Sequence, residues 1–292
     1  MPELPEVETI VRGLRTVLPG HTIIAVRLEK TDFIEDPIGV GELLPGRRVE
    51  AVDRMGKFIW LKLNPTPGAK NSDKHLDLVV HLGMTGWLGV RRQEDPVAPH
   101  THVFFELEDG RELRYTDIRR FGQIRLVGHD EIGHLAARLG SEPLELALHE
   151  FTARLAGRHA RIKALLLNQS VFRGIGNIYA DESLWQARIH PARLASRLSS
   201  ADLKRLWNAI RRVLQQAIED RGSSISDFVD AEGQPGEYQQ RHRAYGREGK
   251  PCFRCRAKIR RDIIAGRSSY FCPRCQPAPR KRTIRASSRV RA

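Results

Sequence analysis

Apolar positions near the start of the chain follow a helical period. Val7, Ile10, Val11, Leu14 and Leu18 recur at the i, i+3, i+4, i+7 spacing of one buried face. Pro5 suits a first helical turn, Glu6 and Glu8 stand at its positive end, and Pro19-Gly20 stops it. Over residues 21–127 the period becomes that of strands. His21–Glu29, Arg48–Leu63, His75–Leu82, Trp87–Arg92, Val103–Leu107 and Arg111–Tyr115 are short runs rich in β-branched and aromatic residues, with Asp109-Gly110 a hairpin turn between the last two. The Pro/Gly-containing polar segments 64–74 and 92–100 read as loops. One helix followed by six or more strands predicts a β-sandwich.

Near residue 130 the helical period returns, in Asp130–Leu139, Leu148–Ala156, Ile162–Asn168, Ile178–Gln186 and Ala201–Asp220. In the last of these Leu203, Leu206, Ile210, Val213, Leu214 and Ala217 share a face, and Ser199 or Ser200 suits the N-cap. The pattern predicts an α+β chain of two domains that divide near residue 130.

Charge then narrows the partners. Lys plus Arg number 49 against 35 Asp plus Glu, a net charge of +14 over 292 residues. Such a balance points to a polyanion, nucleic acid first, although a basic face also serves solubility. No run approaches the ~18 apolar residues of a membrane span, and the start lacks the basic-then-apolar layout of a secretory signal. A soluble intracellular protein with no membrane partner is expected.

Three stretches carry candidate chemistry. The first is MPELPEVETIV. Removal of Met1 leaves Pro2 with a secondary α-amine, and α-amines have a pKa near ~8, far below lysine's ~10.4. A neutral amine of this kind attacks sugar or aldehyde carbons and forms Schiff bases, with Glu3 alongside to give and take protons. The same residues also describe a capped helix without chemistry. The second stretch holds all four cysteines, Cys252-x2-Cys255 and Cys272-x2-Cys275, sixteen residues apart. Two such pairs offer four thiolates to one tetrahedral zinc. The alternative, two disulfides, lacks an oxidising compartment to support it. A four-thiolate site has no open position, so this zinc is structural, and the intervening segment reads as a β-hairpin turning at Ala265-Gly266. The third is NQSVFRGIGNIYADESLW. Gly174-Ile175-Gly176 permits a tight turn between helices, and Asn177 falls at a helix N-terminus, where backbone N–H groups suit a phosphate. A helical hairpin with a capping Asn fits equally.

PELPEVE at the terminus, HLGMTG at 81–86, TDIRRFG at 116–122, GIGNIYADE at 174–182 and the paired cysteine hairpin occur in an order that resembles the bacterial formamidopyrimidine-DNA glycosylases, over about residues 1–276. The resemblance implies a glycosylase and AP lyase of base excision repair that removes 8-oxoguanine and formamidopyrimidines. It implies an N-terminal β-sandwich domain (1–130), a helix-two-turn-helix domain (131–240) and a zinc finger (241–276), which leave a basic tail (277–292) outside it. Double-stranded DNA containing oxidised bases is the implied partner, bound by a monomer in the bacterial cytoplasm at the nucleoid. Pro2 is then the nucleophile and Glu3 its acid/base partner. Lys57 and Arg267 assist β- and δ-elimination. His100, Arg119, His159, Lys163 and Asn177 contact DNA. Glu6, Ser224 and Tyr238 belong to the lesion pocket, the last two in the glycine- and serine-containing loop 221–238. Met84, Arg119 and Phe121 fill the space left by the extruded base. Without the resemblance, Met84 and Phe121 read as core residues.

Three other readings compete. An endonuclease-VIII-type enzyme for oxidised pyrimidines shares Pro2-Glu3 and the hairpin, but such enzymes typically begin PEGPE. A non-catalytic zinc DNA-binding protein explains charge and cysteines but not Pro2-Glu3 with Lys57. A zinc deaminase, prompted by His129-x-Glu131 and Pro251-Cys252-x2-Cys255, leaves Cys272 and Cys275 unexplained.

Past Gln276 the chain departs from the family. Arg280, Lys281, Arg282, Arg285, Arg289 and Arg291 accompany no acid, and Ile284 and Val290 are the sole branched aliphatics. Such a segment buries too little to order itself, and is either a solvated end or a non-specific DNA tether. As a tether, its removal weakens binding to undamaged duplex most at low salt, flattening the log–log salt slope by at most about 5 units. Salt titrations of the full chain and a chain truncated after Gln276 decide, since superimposable slopes leave a solvated end.

Overall fold

The computed structural model describes residues 2–67, 75–225 and 228–279, so the tail from Arg280 and part of the 64–74 loop lie outside the described residues. In chain order the elements are α1 (Leu4–Val17), β1 (Thr22–Leu28), α2 (Pro37–Leu43), β2 (Arg47–Met55), β3 (Phe58–Pro65), β4 (Leu76–His81), β5 (Gly86–Arg92), β6 (Thr101–Leu107), β7 (Arg111–Asp117), β8 (Gln123–Gly128), α3 (His129–Arg138), α4 (Leu148–Leu155), α5 (Ile162–Leu167), α6 (Asn177–Ala187), α7 (Ser200–Glu219), β9 (Arg260–Ile264) and β10 (Arg267–Phe271).

Two expectations change. The run Arg48–Leu63 is two strands, because Gly56 at φ +64° lets the chain reverse between Met55 and Phe58. Met-Gly-Lys is not one of the strong hairpin dipeptides, so the reversal had no local signal beyond one glycine. Strand β8 and the short α2 were also unanticipated. Asp36 starts α2 by accepting from Gly39 N–H at 2.9 Å. The long C-terminal helix begins as expected, with Ser199 Oγ accepting from Asp202 N–H at 3.1 Å.

Among the described residues, eight strands form one antiparallel sheet in the order β5-β7-β6-β1-β2-β3-β4-β8. The joint between β1 and β2 is slight, only Thr22↔Arg48 and Ile23↔Arg47. There the sheet folds into two layers of four. Leu88, Phe105 and Leu113 from one layer meet Val49, Leu61 and Val80 from the other in a single core. The α1 face read from periodicity is fully buried in the same core.

The second core lies among α4–α7, with Phe172, Leu184, Leu206, Ile210 and Leu214 at its centre. Leu4, in the first turn of α1, belongs to this helical core rather than to that of the sheet. One helix therefore inserts into both lobes, and its N-terminus emerges where they meet. Helix α3 packs through Ile132 on Met55, Val79 and Val127. Although it follows the division expected near residue 130, its packing belongs with the sheet. Among the described residues no helix is long and apolar enough to cross a membrane.

Candidate active site and nucleic-acid interface

Pro2 and Glu3 are buried at the junction of the lobes. Glu3 is the N-cap of α1, and its backbone N–H donates to Glu6 Oε2 at 2.8 Å in a capping box. Its carboxylate accepts from Ile178 N–H at 2.9 Å and Tyr179 N–H at 3.4 Å. The anion on the N-terminus of α6 is thus Glu3 itself, where the sequence suggested a phosphate. Helix N-termini favour such a charge by roughly 0.3–2 kcal/mol. Burial outweighs this: desolvation raises the Glu3 pKa above the usual carboxylate range, against the opposing pull of Lys57 and the two N–H donors. A carboxyl raised in this way exchanges protons more readily near neutral pH.

The glycines of the GIG turn are fixed by this approach. A Cβ on Gly176 would lie 2.2 Å from Glu3 Cδ, and one on Gly174, at φ +91°, would lie 2.8 Å from Leu4 Cβ. Leu4 N–H also donates to Gly174 C=O at 3.0 Å. The Gly56 turn, which carries Lys57, packs on the same segment, its would-be Cβ 3.1 Å from Arg173 Cβ. Lys57 is nearly buried, and desolvation lowers its pKa despite the charges of Glu3 and Glu6, with Arg267 lowering it further. Pro2, Glu3, Lys57 and Arg267 thus converge on one site. A residue that sequence reading passed over also stands there. His81 is kept neutral by burial and by Lys57, its pKa pushed down to about 4, and its Nδ1 accepts from Gly83 N–H at 3.2 Å.

Glu6 joins this site to the 221–238 loop. Tyr179 Oη–H and Ser223 N–H (2.7 Å) donate to its Oε1, and Ser223 Oγ lies 3.1 Å from His242 Nε2. Desolvation and the neighbouring Glu3 raise its pKa to about 7. Ser224 Oγ donates to Phe228 C=O at 2.6 Å and accepts from Gly236 N–H at 2.8 Å, closing the loop on itself. Tyr238 is buried at the edge of the helical core, its ring 5.5 Å from that of Tyr179, the residue that donates to Glu6.

Met84 and Phe121 reverse the core reading: they are 41% and 57% exposed. Phe121 sits beneath the Arg119 guanidinium, 4.5 Å from ring centroid to Cζ. The two loops that carry these residues touch, since a Cβ on Gly83 (φ +61°) would lie 2.4 Å from Phe121 C. Large apolar side chains grouped in the open mark a contact surface. His100, at φ +64°, is exposed and joined to this region by Asp117 N–H, which donates to its C=O at 3.0 Å. His159 is exposed, with Ser196 Oγ 3.4 Å from its Nδ1.

The four cysteines are free and their sulfurs all lie within 4.8 Å of one another, Cys255 and Cys272 at 3.4 Å. Zn–S bonds of ~2.3 Å in a tetrahedron require S···S separations of about 3.8 Å. Among the described residues the cluster consists of the four cysteines, which close a tetrahedral structural zinc and leave no open position of the kind a deaminase uses. The hairpin β9–β10 is fastened to α6: Tyr270 N–H donates to Asp181 Oδ2 at 2.9 Å, and Arg254 to Trp185 C=O at 2.6 Å. Lys163 is 0% exposed, paired to Asp181 at 2.7 Å and donating to Ser268 C=O at 2.8 Å. Asn177 Nδ2 donates to the same carbonyl at 3.1 Å. Helices α5 and α6 thus bring both side chains under the hairpin, onto the residue next to Arg267.

Known proteins share this arrangement. The family description "Formamidopyrimidine-DNA glycosylase N-terminal domain" matches residues 1–124, "Formamidopyrimidine-DNA glycosylase H2TH domain" matches 139–229, and "Zinc finger found in FPG and IleRS" matches 249–278. A formamidopyrimidine-DNA glycosylase of Pelotomaculum thermopropionicum is 45% identical, over 94% of this chain and 99% of its own. A Lactococcus lactis FPG mutant in complex with Fapy-dG-containing DNA superposes with a TM-score of 0.85 at 31% identity, covering 95% of this chain and 100% of the other. The MutM (FPG) protein of Thermus thermophilus superposes at 0.80 with 41% identity, covering 94% and 98%.

The close approach of Glu3 to Gly176 has a direct test. In Gly176→Ala the added methyl meets the Glu3 carboxyl, and the expected loss of stability in urea unfolding is about 1–3 kcal/mol. An unchanged midpoint would show that the carboxyl does not rest there.

Proposed function

Since the chain belongs to the formamidopyrimidine-DNA glycosylase family, it is a DNA glycosylase and AP lyase of base excision repair, and we propose that Pro2 and Glu3 carry its chemistry. One observation supports this most: Glu3, next to Pro2, is buried with a raised pKa beside Lys57 at the meeting of two lobes. The substrate is duplex DNA bearing 8-oxoguanine or a formamidopyrimidine, drawn to a chain of net charge +14.

The Pro2 nitrogen, freed by loss of Met1, attacks C1′ of the damaged nucleotide. The C1′–N bond breaks and its electron pair leaves with the base, which takes up a proton. Glu3 delivers a proton to the sugar ring oxygen as the ring opens, leaving an iminium between Pro2 and C1′. Loss of a C2′ proton then expels the 3′-phosphate, and a second elimination expels the 5′-phosphate. Lys57 and Arg267 stand where cationic groups stabilise these departing anions. Before this sequence the nucleotide must leave the stack. Met84, Arg119 and Phe121 occupy its place, and His100 and His159 contact the backbone nearby. Glu6 and Ser224 hold the loop that closes over the extruded base, and Tyr238 supports it from the core. Cys252, Cys255, Cys272 and Cys275 hold the zinc that keeps the Arg267 hairpin folded. The protein acts as a monomer in the bacterial cytoplasm, at the nucleoid.

A chain that retains Met1, which turns the Pro2 nitrogen into a non-nucleophilic amide, is expected to lower single-turnover excision of 8-oxoguanine by about 100-fold or more, the scale of losing an activated nucleophile. Binding to an abasic-analogue duplex stays close to that of the parent, and a duplex carrying an oxidised pyrimidine is processed more slowly than the purine lesion. Undiminished excision by the Met1-retaining chain removes the nucleophile assignment. Faster excision of the pyrimidine favours the endonuclease-VIII-type reading instead.

A further inference from the structure

Asp117 is fully buried at the end of β7, and no step above uses it. Both its oxygens are engaged, each toward a different part of the surface that carries Met84, Arg119 and Phe121. Oδ1 accepts from Thr85 Oγ1–H at 2.5 Å and from Arg119 N–H at 3.2 Å. Oδ2 accepts from Gly122 N–H at 2.9 Å and from Tyr115 Oη–H at 3.2 Å. Thr85 follows Met84, and Gly122 follows Phe121. Thr85 Oγ1 in turn accepts from Arg119 N–H at 3.0 Å, so the two loops share one hydrogen-bonded centre. The backbone of Asp117 extends it, its C=O lying 3.2 Å from His102 Nε2.

These contacts offset a specific problem. Met84 and Phe121 are exposed, and the part of an apolar side chain that lies in solvent gains nothing by holding a fixed place. Filling a gap in a base stack nevertheless requires that three side chains from two loops arrive together. A wedge that must first order itself loses that entropy from its contact with DNA. We infer that Asp117 is a positioning residue that fixes the 83–85 and 118–122 loops to one another, so that Met84, Arg119 and Phe121 enter the duplex as one rigid unit. This rests on the wedge role proposed for those three residues. Its consequence is selective: Asp117 matters in proportion to the stacking and pairing that must be replaced when the base leaves.

The test is single-turnover excision by the full zinc-loaded chain on two duplexes, 8-oxoguanine paired with cytosine and 8-oxoguanine opposite an abasic position. The second has already lost its pairing and is cheaper to open. Asp117→Asn keeps the size but turns one acceptor into a donor facing an N–H or O–H. It is expected to slow excision on the paired duplex about tenfold, equivalent to ~1.4 kcal/mol of barrier, and to lose most of that defect on the unpaired one. Thr85→Val removes both bonds of Thr85 Oγ1, to Asp117 and from Arg119 N–H, leaves the Asp117–Gly122 link in place, and is expected to show the same selectivity at about threefold. It decides the matter should Asp117→Asn fail to fold. Phe121→Ala separates the two levels. If Phe121→Ala shows the paired-over-unpaired defect and neither Asp117→Asn nor Thr85→Val does, the inference about Asp117 is overturned and the wedge stands. If Phe121→Ala shows none, the wedge reading fails and the inference with it. An equal loss by Asp117→Asn on both duplexes also overturns the inference, since a merely structural defect has no reason to follow base pairing.

Discussion

Glu3 takes its carboxylate out of water and sets it on the first turn of α6, 175 residues away in sequence. A buried carboxylate without partners costs several kcal/mol, so this contact fixes a great deal else. It requires glycine at 176, where any Cβ would strike the carboxyl. It also requires α1 to reach both cores, with Leu4 in one and Val7 to Leu18 in the other. The residue before Glu3 then has little freedom left. Pro2 is buried with it, whereas chain ends are normally exposed.

Helix α6 transmits this constraint to the zinc hairpin. Its N-terminus receives Glu3, and its next turn carries Asp181, which pairs with Lys163 and accepts from Tyr270. Glu182 accepts from the backbone N–H groups of Ala244 and Tyr245, both at 2.8 Å, fixing the approach to the first cysteine pair. Pro2-Glu3 and Arg267 come from opposite ends of the sequence, yet one helix holds both. The pair Lys163–Asp181 is wholly buried, and removing one partner alone would leave an uncompensated charge, typically a loss of about 3–5 kcal/mol. Its value here lies in geometry, since Ser268 is the shared acceptor and Arg267 is the residue beside it.

What could be read from the sequence was local. The α1 face was legible because periodicity follows from helix geometry alone, and the cysteine pairs because metal spacing is set by bond lengths. The strand boundaries at Gly56 and the existence of β8 were not, since a lone glycine and a six-residue alternation carry weak local signals. Within the site, Pro2 and Glu3 stood out through the chemistry of a terminal amine beside a carboxyl and Lys57 through the resemblance, and the structure adds that Glu3 and Lys57 are buried close enough for each to shift the other's pKa. The bonds of Lys163 and Asn177 to the Ser268 carbonyl could not be read locally, since that acceptor lies 105 and 91 residues away. Asp117 stood inside a quoted motif without drawing attention. Its importance lies in Thr85, over thirty residues earlier, and in Gly122, and neither contact leaves a trace in composition or period.

The central claim is that this junction exists to present the Pro2 amine to a sugar carbon with Glu3 as its proton partner. Borohydride reduction during reaction with an 8-oxoguanine duplex, followed by proteolysis and mass analysis of the DNA-bearing peptide, tests it most directly. The account predicts a covalent adduct on the N-terminal peptide, at the nitrogen of Pro2, in chains that have lost Met1. An adduct on Lys57 with Pro2 unmodified would contradict it.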